Sequence, residues 1–175
     1  MSVLGRVVKA RLQNHYVSEA AEKDRVRLEG LGFTVIPLDY PPELVFTKKQ
    51  HEQLKFPYDY RPDFLVLKPY GPCFLWEVKY RNYDPGDAVF DEYFLVPISQ
   101  YNMLRRWEQH FRIPAYISVW FWSEWFGYAR ISSLPKLGEI HSQKHKDVFV
   151  KLPLSSLNTN LENLLKNLNQ LRLRA

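Results

Sequence analysis

The chain has 175 residues, of which 46% are hydrophobic and 15% aromatic, which suits a single domain with a sizeable core. Its 24 lysines and arginines against 19 aspartates and glutamates leave a net charge of +5, in keeping with a polyanionic partner without requiring one. The single Cys73 excludes an intrachain disulfide and points to a reducing, cytoplasmic setting; no apolar run is long enough to span a membrane, and the N-terminus lacks a signal peptide's apolar stretch.

Residues 4–31 read as a helix, with Val17, Ala20 or Ala21, Leu28 and Leu31 on one apolar stripe. Gly32-Phe33 ends it and opens a strand over 33–38. A polar segment, 40–60, then carries Lys48, Lys49, His51 and Lys55. It reads either as an insertion whose lysines neutralise nucleic-acid phosphates or as a solvated loop or short helix. Two short apolar runs follow, 63–69 and 73–80, joined by Tyr70-Gly71-Pro72. A Gly/Pro turn between two such runs predicts a β-hairpin.

Residues 82–92 form a second insertion, acidic through Asp84, Asp87, Asp91 and Glu92. The next helix starts at Pro97-Ile98-Ser99, with Ser99 as N-cap, and continues to about Phe111. Tyr101, Leu104, Trp107 and Phe111 are its core-facing residues. Strands are predicted over 115–122 and 126–132. Trp120, Trp122, Trp125 and Tyr128 gather there and read as core or interface in preference to a base-stacking surface.

Residues 134–146 read as a basic loop with Lys136, Lys144, His145 and Lys146. His141 and His145 have a spacing that suits a metal on a helix, but no third ligand accompanies them. A final strand is predicted over 148–152. Thr159-Asn160-Leu161-Glu162 fits a capping box before a helix to about 173. Leu161, Leu164, Leu165, Leu168 and Leu171 make its apolar face. That face suits packing on the sheet, or a homodimer interface.

The hairpin carries the chemistry. Asp63 starts its first strand, while Glu77 and Lys79 stand near the end of the second. In an antiparallel pair the start of one strand faces the end of the next. Residues two apart project from one face, so Asp63 can sit beside both. Two carboxylates suit Mg²⁺, which takes oxygen ligands, with the Val78 carbonyl as a third donor. Lys79 suits charge developing on a phosphoryl group or the orientation of a water. The alternative is a surface ion pair between Glu77 and Lys79, with Asp63 capping a turn.

Pro62-Asp63 followed by Glu77-Val78-Lys79 resembles the signature of the PD-(D/E)xK nuclease superfamily, which includes type II restriction endonucleases, archaeal Holliday-junction resolvases and RecB-like exonucleases. The resemblance implies an α/β fold with a restriction-endonuclease-like core, a mixed central β-sheet flanked by helices. It also implies Mg²⁺-dependent hydrolysis of DNA phosphodiesters, with Mn²⁺ expected to substitute. Asp63 and Glu77 would then be metal ligands and Lys79 the catalytic lysine. The family often adds a glutamate from the first helix; Glu22 and Glu19 are the candidates, each otherwise a residue of a solvated face. Gln100 resembles the glutamine of the RecB-like helix, though Leu104 stands where a tyrosine belongs. A helix-start surface residue is the other reading of Gln100.

The basic side chains expected against DNA are Lys48, Lys49, Lys55, Arg81, Lys144 and Lys146. The expected function is a resolvase-like or restriction-like DNA endonuclease. The alternatives are a RecB-like exonuclease on DNA ends and a non-catalytic nucleic-acid-binding or assembly subunit on the same fold.

Overall fold

A computed structural model describes residues 19–38, 62–68, 71, 73–81, 92–121, 126–142, 147–164, 166 and 168. The insertion at 40–60, all of 82–92 except Glu92, and Lys48, Lys49, Lys55, Trp122, Trp125, Lys144, His145, Lys146, Leu165 and Leu171 lie outside these residues.

Helix α1 covers residues 19–30. It closes as the sequence predicts. The Phe33 N–H donates to the Leu28 carbonyl and the Gly32 N–H to that of Glu29, with Gly32 at φ 81. This Schellman closure needs a left-handed residue, which glycine adopts without steric penalty.

Among the described residues five strands form one sheet: β1 (Thr34–Pro37), β2 (Phe64–Leu67), β3 (Cys73–Arg81), β5 (Ala115–Phe121) and β6 (Phe126–Arg130), in the order β1-β2-β3-β5-β6. All neighbours are antiparallel except β3 and β5, which run parallel. The parallel step requires a crossover, and β4 (Tyr93–Pro97) and α2 (Ile98–Phe111) provide it. The fold is therefore α/β, with a mixed central sheet flanked by helices. The predicted hairpin is β2–β3, with Phe64 opposite Trp76 and Leu67 opposite Cys73.

β4 pairs instead with β8 (Asp147–Pro153), and β8 with β7 (Gly138–Ser142), making a second sheet of order β4-β8-β7. The basic loop expected over 134–146 thus contains a strand, and His141 lies on β7 rather than on a helix. Among the described residues no three His, Cys, Asp or Glu side chains are grouped to hold a metal.

Among the described residues the buried side chains form two cores. On one side of the central sheet, α1 (Ala20, Leu28) packs with Phe74, Trp76, Val78, Tyr116, Trp120 and Tyr128. Trp76 stacks on Tyr116 at 5.9 Å between ring centroids and lies 5.6 Å from Tyr128. The aromatic richness of the chain thus serves a core at these positions. Leu164 and Leu168 of the C-terminal helix α3, which starts at residue 162, join the same core. That helix therefore packs on the chain's own sheet, as one of its two readings expects. Its cap is Asn160 rather than Thr159, since the Glu162 N–H donates to Asn160 Oδ1 at 2.9 Å.

On the opposite side, Leu75, Ile117 and Val119 meet Tyr101 and Leu104 of α2 together with Phe94, Val96, Val150 and Leu152 of the second sheet. Ser99 is not the N-cap of α2. Pro97 holds that position and no side chain bonds the helix start. Phe111 is 44% exposed. The fully buried series is Tyr101, Leu104 and Glu108, spaced i, i+3, i+7, with Trp107 partly buried against the same core as expected; Glu108 fills the place that Phe111 was expected to share.

Candidate active site

Asp63, Glu77, Val78 and Lys79 come together where β2 begins and β3 nears its end. The β2–β3 register pairs Phe64 with Trp76, and one further step sets Asp63 across from Glu77. Directly opposed residues of an antiparallel pair project from one face. Asp63 is tied to β3 by its side chain, because Oδ2 accepts the Val78 N–H at 2.6 Å. Its backbone is tied to the end of β1, since Leu38 N–H donates to the Asp63 carbonyl at 2.9 Å. On a strand the N–H and C=O of one residue leave on the same side. The Val78 carbonyl therefore also faces Asp63.

Leu75, Glu77 and Lys79 alternate onto the face covered by α2, as their register partners Ala115, Ile117 and Val119 do. Glu77 is 1% exposed, and Lys79 Nζ donates to its Oε1, with the lysine side chain 12% exposed. The surface ion pair considered from sequence is thus a buried one. Removing two charges from water costs several kcal/mol per ion, and their mutual bond offsets part of that cost. A buried acid and amine held beside a second acid form an arrangement that can bind a hard cation and set an ammonium against a phosphoryl oxygen.

The other expected residues lie on neighbouring elements. Gln100 sits half-buried in the first turn of α2, the helix that covers the Glu77 face. Glu22 is exposed on α1, across the sheet from Glu77 and Lys79, and accepts from Arg25 Nε at 2.8 Å. The guanidinium beside it lowers the Glu22 carboxyl below its ordinary pKa. Glu19 pairs with Lys23 at 3.2 Å on the same helix. Arg81, at the end of β3, donates to the carbonyls of Tyr80 (2.8 Å) and Leu95, joining β3 to β4.

Two buried acids escaped the sequence reading. Asp24 is 1% exposed. Its Oδ2 accepts from Trp76 Nε1 at 2.7 Å and from Ser118 Oγ, and its Oδ1 from Trp120 Nε1 at 2.9 Å. Burial pushes its pKa up to about 6, against the opposing pull of these hydrogen bonds and of Arg27. The signal was available, because Asp24 lies midway between Ala20 and Leu28 on the apolar stripe of α1, where an unpartnered charge is costly. Glu108 is the second. Its Oε1 accepts from Arg130 Nε and from Ser132 Oγ at 3.1 Å, while its Oε2 is buried with no hydrogen-bond partner among the described residues.

No family model and no curated protein matches the chain. Among solved structures it is similar to the 1.6 Å structure of Archaeoglobus fulgidus Hjc, a Holliday junction resolvase from an archaeal hyperthermophile. The two are 13% identical with a TM-score of 0.54, over 84% of this chain and 93% of that one. At that identity the likeness is one of fold. The central mixed sheet and flanking helices described above agree with the resolvase fold.

Proposed function

We infer that the protein is a metal-dependent DNA nuclease of resolvase type, hydrolysing phosphodiester bonds at Asp63, Glu77 and Lys79. The observation that carries this reading is the buried Glu77–Lys79 pair beside Asp63 at the junction of β2 and β3. The likeness to a solved Holliday junction resolvase supports it.

The donor chemistry fits a hard cation. Asp63 and Glu77 would hold Mg²⁺ or Mn²⁺ with the Val78 carbonyl, a donor set that leaves room for water and substrate phosphate. Such an ion, when bound, supplies positive charge against the phosphate and makes water a better nucleophile near neutral pH.

The chain's own groups do the rest. The Val78 N–H orients the Asp63 carboxylate. Glu77 holds Lys79 in a site largely shielded from water, where an ammonium acts more strongly on developing negative charge. Gln100 lies on the helix over that face and suits a contact to the scissile phosphate or its water. Lys48, Lys49, Lys55, Arg81, Lys144 and Lys146 are the proposed contacts to the DNA backbone, which fix register without reading sequence. A homodimer would set one site against each strand.

The test is cleavage of four-way junctions, plain duplex, single strands and closed circular plasmid with Mg²⁺ or Mn²⁺, and with EDTA as control. Junctions or closed circles are expected to be cut, and Asp63→Ala, Glu77→Gln and Lys79→Met to lower the rate on the order of 100-fold while DNA binding persists. Variants that cut like the parent would reject these site residues. Cleavage of linear ends alone would transfer the activity to the exonuclease class. If nothing is cut and Asp63→Ala keeps its biological role, the chain is a binding or assembly subunit.

A further inference from the structure

Behind the candidate site, on the far face of the sheet, three hydrogen-bond donors converge on one buried carboxylate. Trp76 precedes Glu77 on β3, Ser118 is the register partner of Val78, and Trp120 that of Tyr80. All three donate to Asp24. The donors therefore bracket positions 76 to 80, the same stretch that carries Glu77 and Lys79 on the front. Ser118 also stands against the strand that carries the site, its Oγ 3.4 Å from the Glu77 carbonyl oxygen while its single proton goes to Asp24.

Stability alone does not account for this carboxylate. A buried charge is a poor stabiliser, and apolar packing of similar volume often matches or betters it. Its distinctive property is geometric. A carboxylate accepts on both oxygens and so satisfies three donors, two of them rigid indoles with a single N–H each. An amide in its place offers one oxygen and turns its NH₂ towards an indole N–H. Arg27 stacks on Trp120 with its guanidinium carbon 4.5 Å from the ring centroid and brings positive charge to the same group.

We propose that Asp24 is a positioning residue for the site, a clamp on β3 and β5 that fixes where Glu77 and Lys79 stand. Its effect on turnover rests on the nuclease reading; its effect on the geometry of β3 does not. A displacement of about 1 Å in a catalytic group costs up to about 100-fold in rate, so a clamp on the strand backbone acts on catalysis without touching substrate.

The experiment compares Asp24→Asn and Ser118→Ala with Leu164→Ala, a destabilising control in the core contributed by α3. Two quantities are followed: kcat and KM on the best DNA substrate, and the amide proton resonance of Val78, which bonds to Asp63. Asp24→Asn is expected to lower kcat about tenfold with KM within about twofold, and to move the Val78 resonance. Leu164→Ala is expected to leave both in place. Ser118→Ala retains the Asp24 charge, is the milder change should Asp24→Asn not fold, and is expected to lower kcat in the same sense. Parental kcat in both Asp24→Asn and Ser118→Ala, or a Val78 resonance that stays put in Asp24→Asn, overturns the proposal. If the parent cuts no DNA at all, the nuclease reading fails, and the Val78 resonance alone decides the clamp.

Discussion

The Val78 N–H donates to Asp63 Oδ2 at 2.6 Å, so one acid of the candidate site is anchored to the backbone of the strand that carries the other acid and the amine. The bond links sequence positions 15 apart and fixes the mouth of the β2–β3 hairpin. It makes Asp63 both a structural and a chemical residue, and the two roles separate by substitution.

Asp63→Asn keeps an acceptor for Val78 and loses the charge. Its unfolding free energy should stay within about 1 kcal/mol of the parent, whereas Asp63→Ala leaves the amide without its acceptor and costs about 1–3 kcal/mol. Urea denaturation of the two variants gives the comparison. Equal losses in both would show that the hydrogen bond contributes nothing.

Lys79→Met takes the cation from a glutamate that is 1% exposed. Breaking a buried pair on one side costs about 3–5 kcal/mol, while replacing both partners with apolar groups is far milder. The double variant Glu77→Leu/Lys79→Met should therefore unfold at higher urea than Lys79→Met alone. A double variant less stable than either single one contradicts the buried-pair description.

Asp24 gives stability a pH dependence of unusual sign. Its proton is held to about pH 6 in the folded chain, against an ordinary value of 3.8. Between those values the folded state binds more protons than the unfolded one, so raising the pH through this window removes stability. The whole effect is on the order of 3 kcal/mol and levels off above pH 6. Subtracting the stability curve of Asp24→Asn from that of the parent between pH 4 and 7 isolates it. A difference that grows with pH would refute the assignment.

Glu108 is bonded through one oxygen only. Arg130→Met leaves its carboxylate buried without the cation. This should cost about 2 kcal/mol, less than for a fully buried pair because the Arg130 side chain is 35% exposed. Glu108→Met should cost less, since it also removes an oxygen that has no partner. Thermal unfolding of the two variants ranks them, and a greater loss in Glu108→Met would reverse the argument.

Much of this architecture is legible in the chain. Prolines and glycines punctuate the β2–β3 hairpin, Gly32 marks the end of α1, and a β-branched and aromatic run marks β5. The same hairpin made Asp63, Glu77 and Lys79 readable as neighbours. What escaped lacks a local signature. β4 runs directly into α2 without a turn between them, so Phe94 and Val96 gave no punctuated segment. β7 carries one aliphatic residue, Ile140, and is a strand because β8 offers it a ladder. Asp24 and Glu108 look like ordinary surface acids until Trp76, Ser118, Trp120 and Arg130, 22 to 96 residues away, arrive to satisfy them.

The second sheet has a bearing on the order of events during biosynthesis. A nascent polypeptide that has emerged only as far as Arg130 already contains Asp63, Glu77, Lys79, Gln100 and every strand of the central sheet. Yet β4, which delivers α2 over the Glu77 face, has its ladder partner in β8, where Val96 meets Val150. Closing that distant pairing is slow compared with forming a hairpin. The helix roof over the acids is therefore fastened only once β8 has followed the central sheet out of the ribosome, and the finished centre is expected to assemble later than the hairpin that carries its acids.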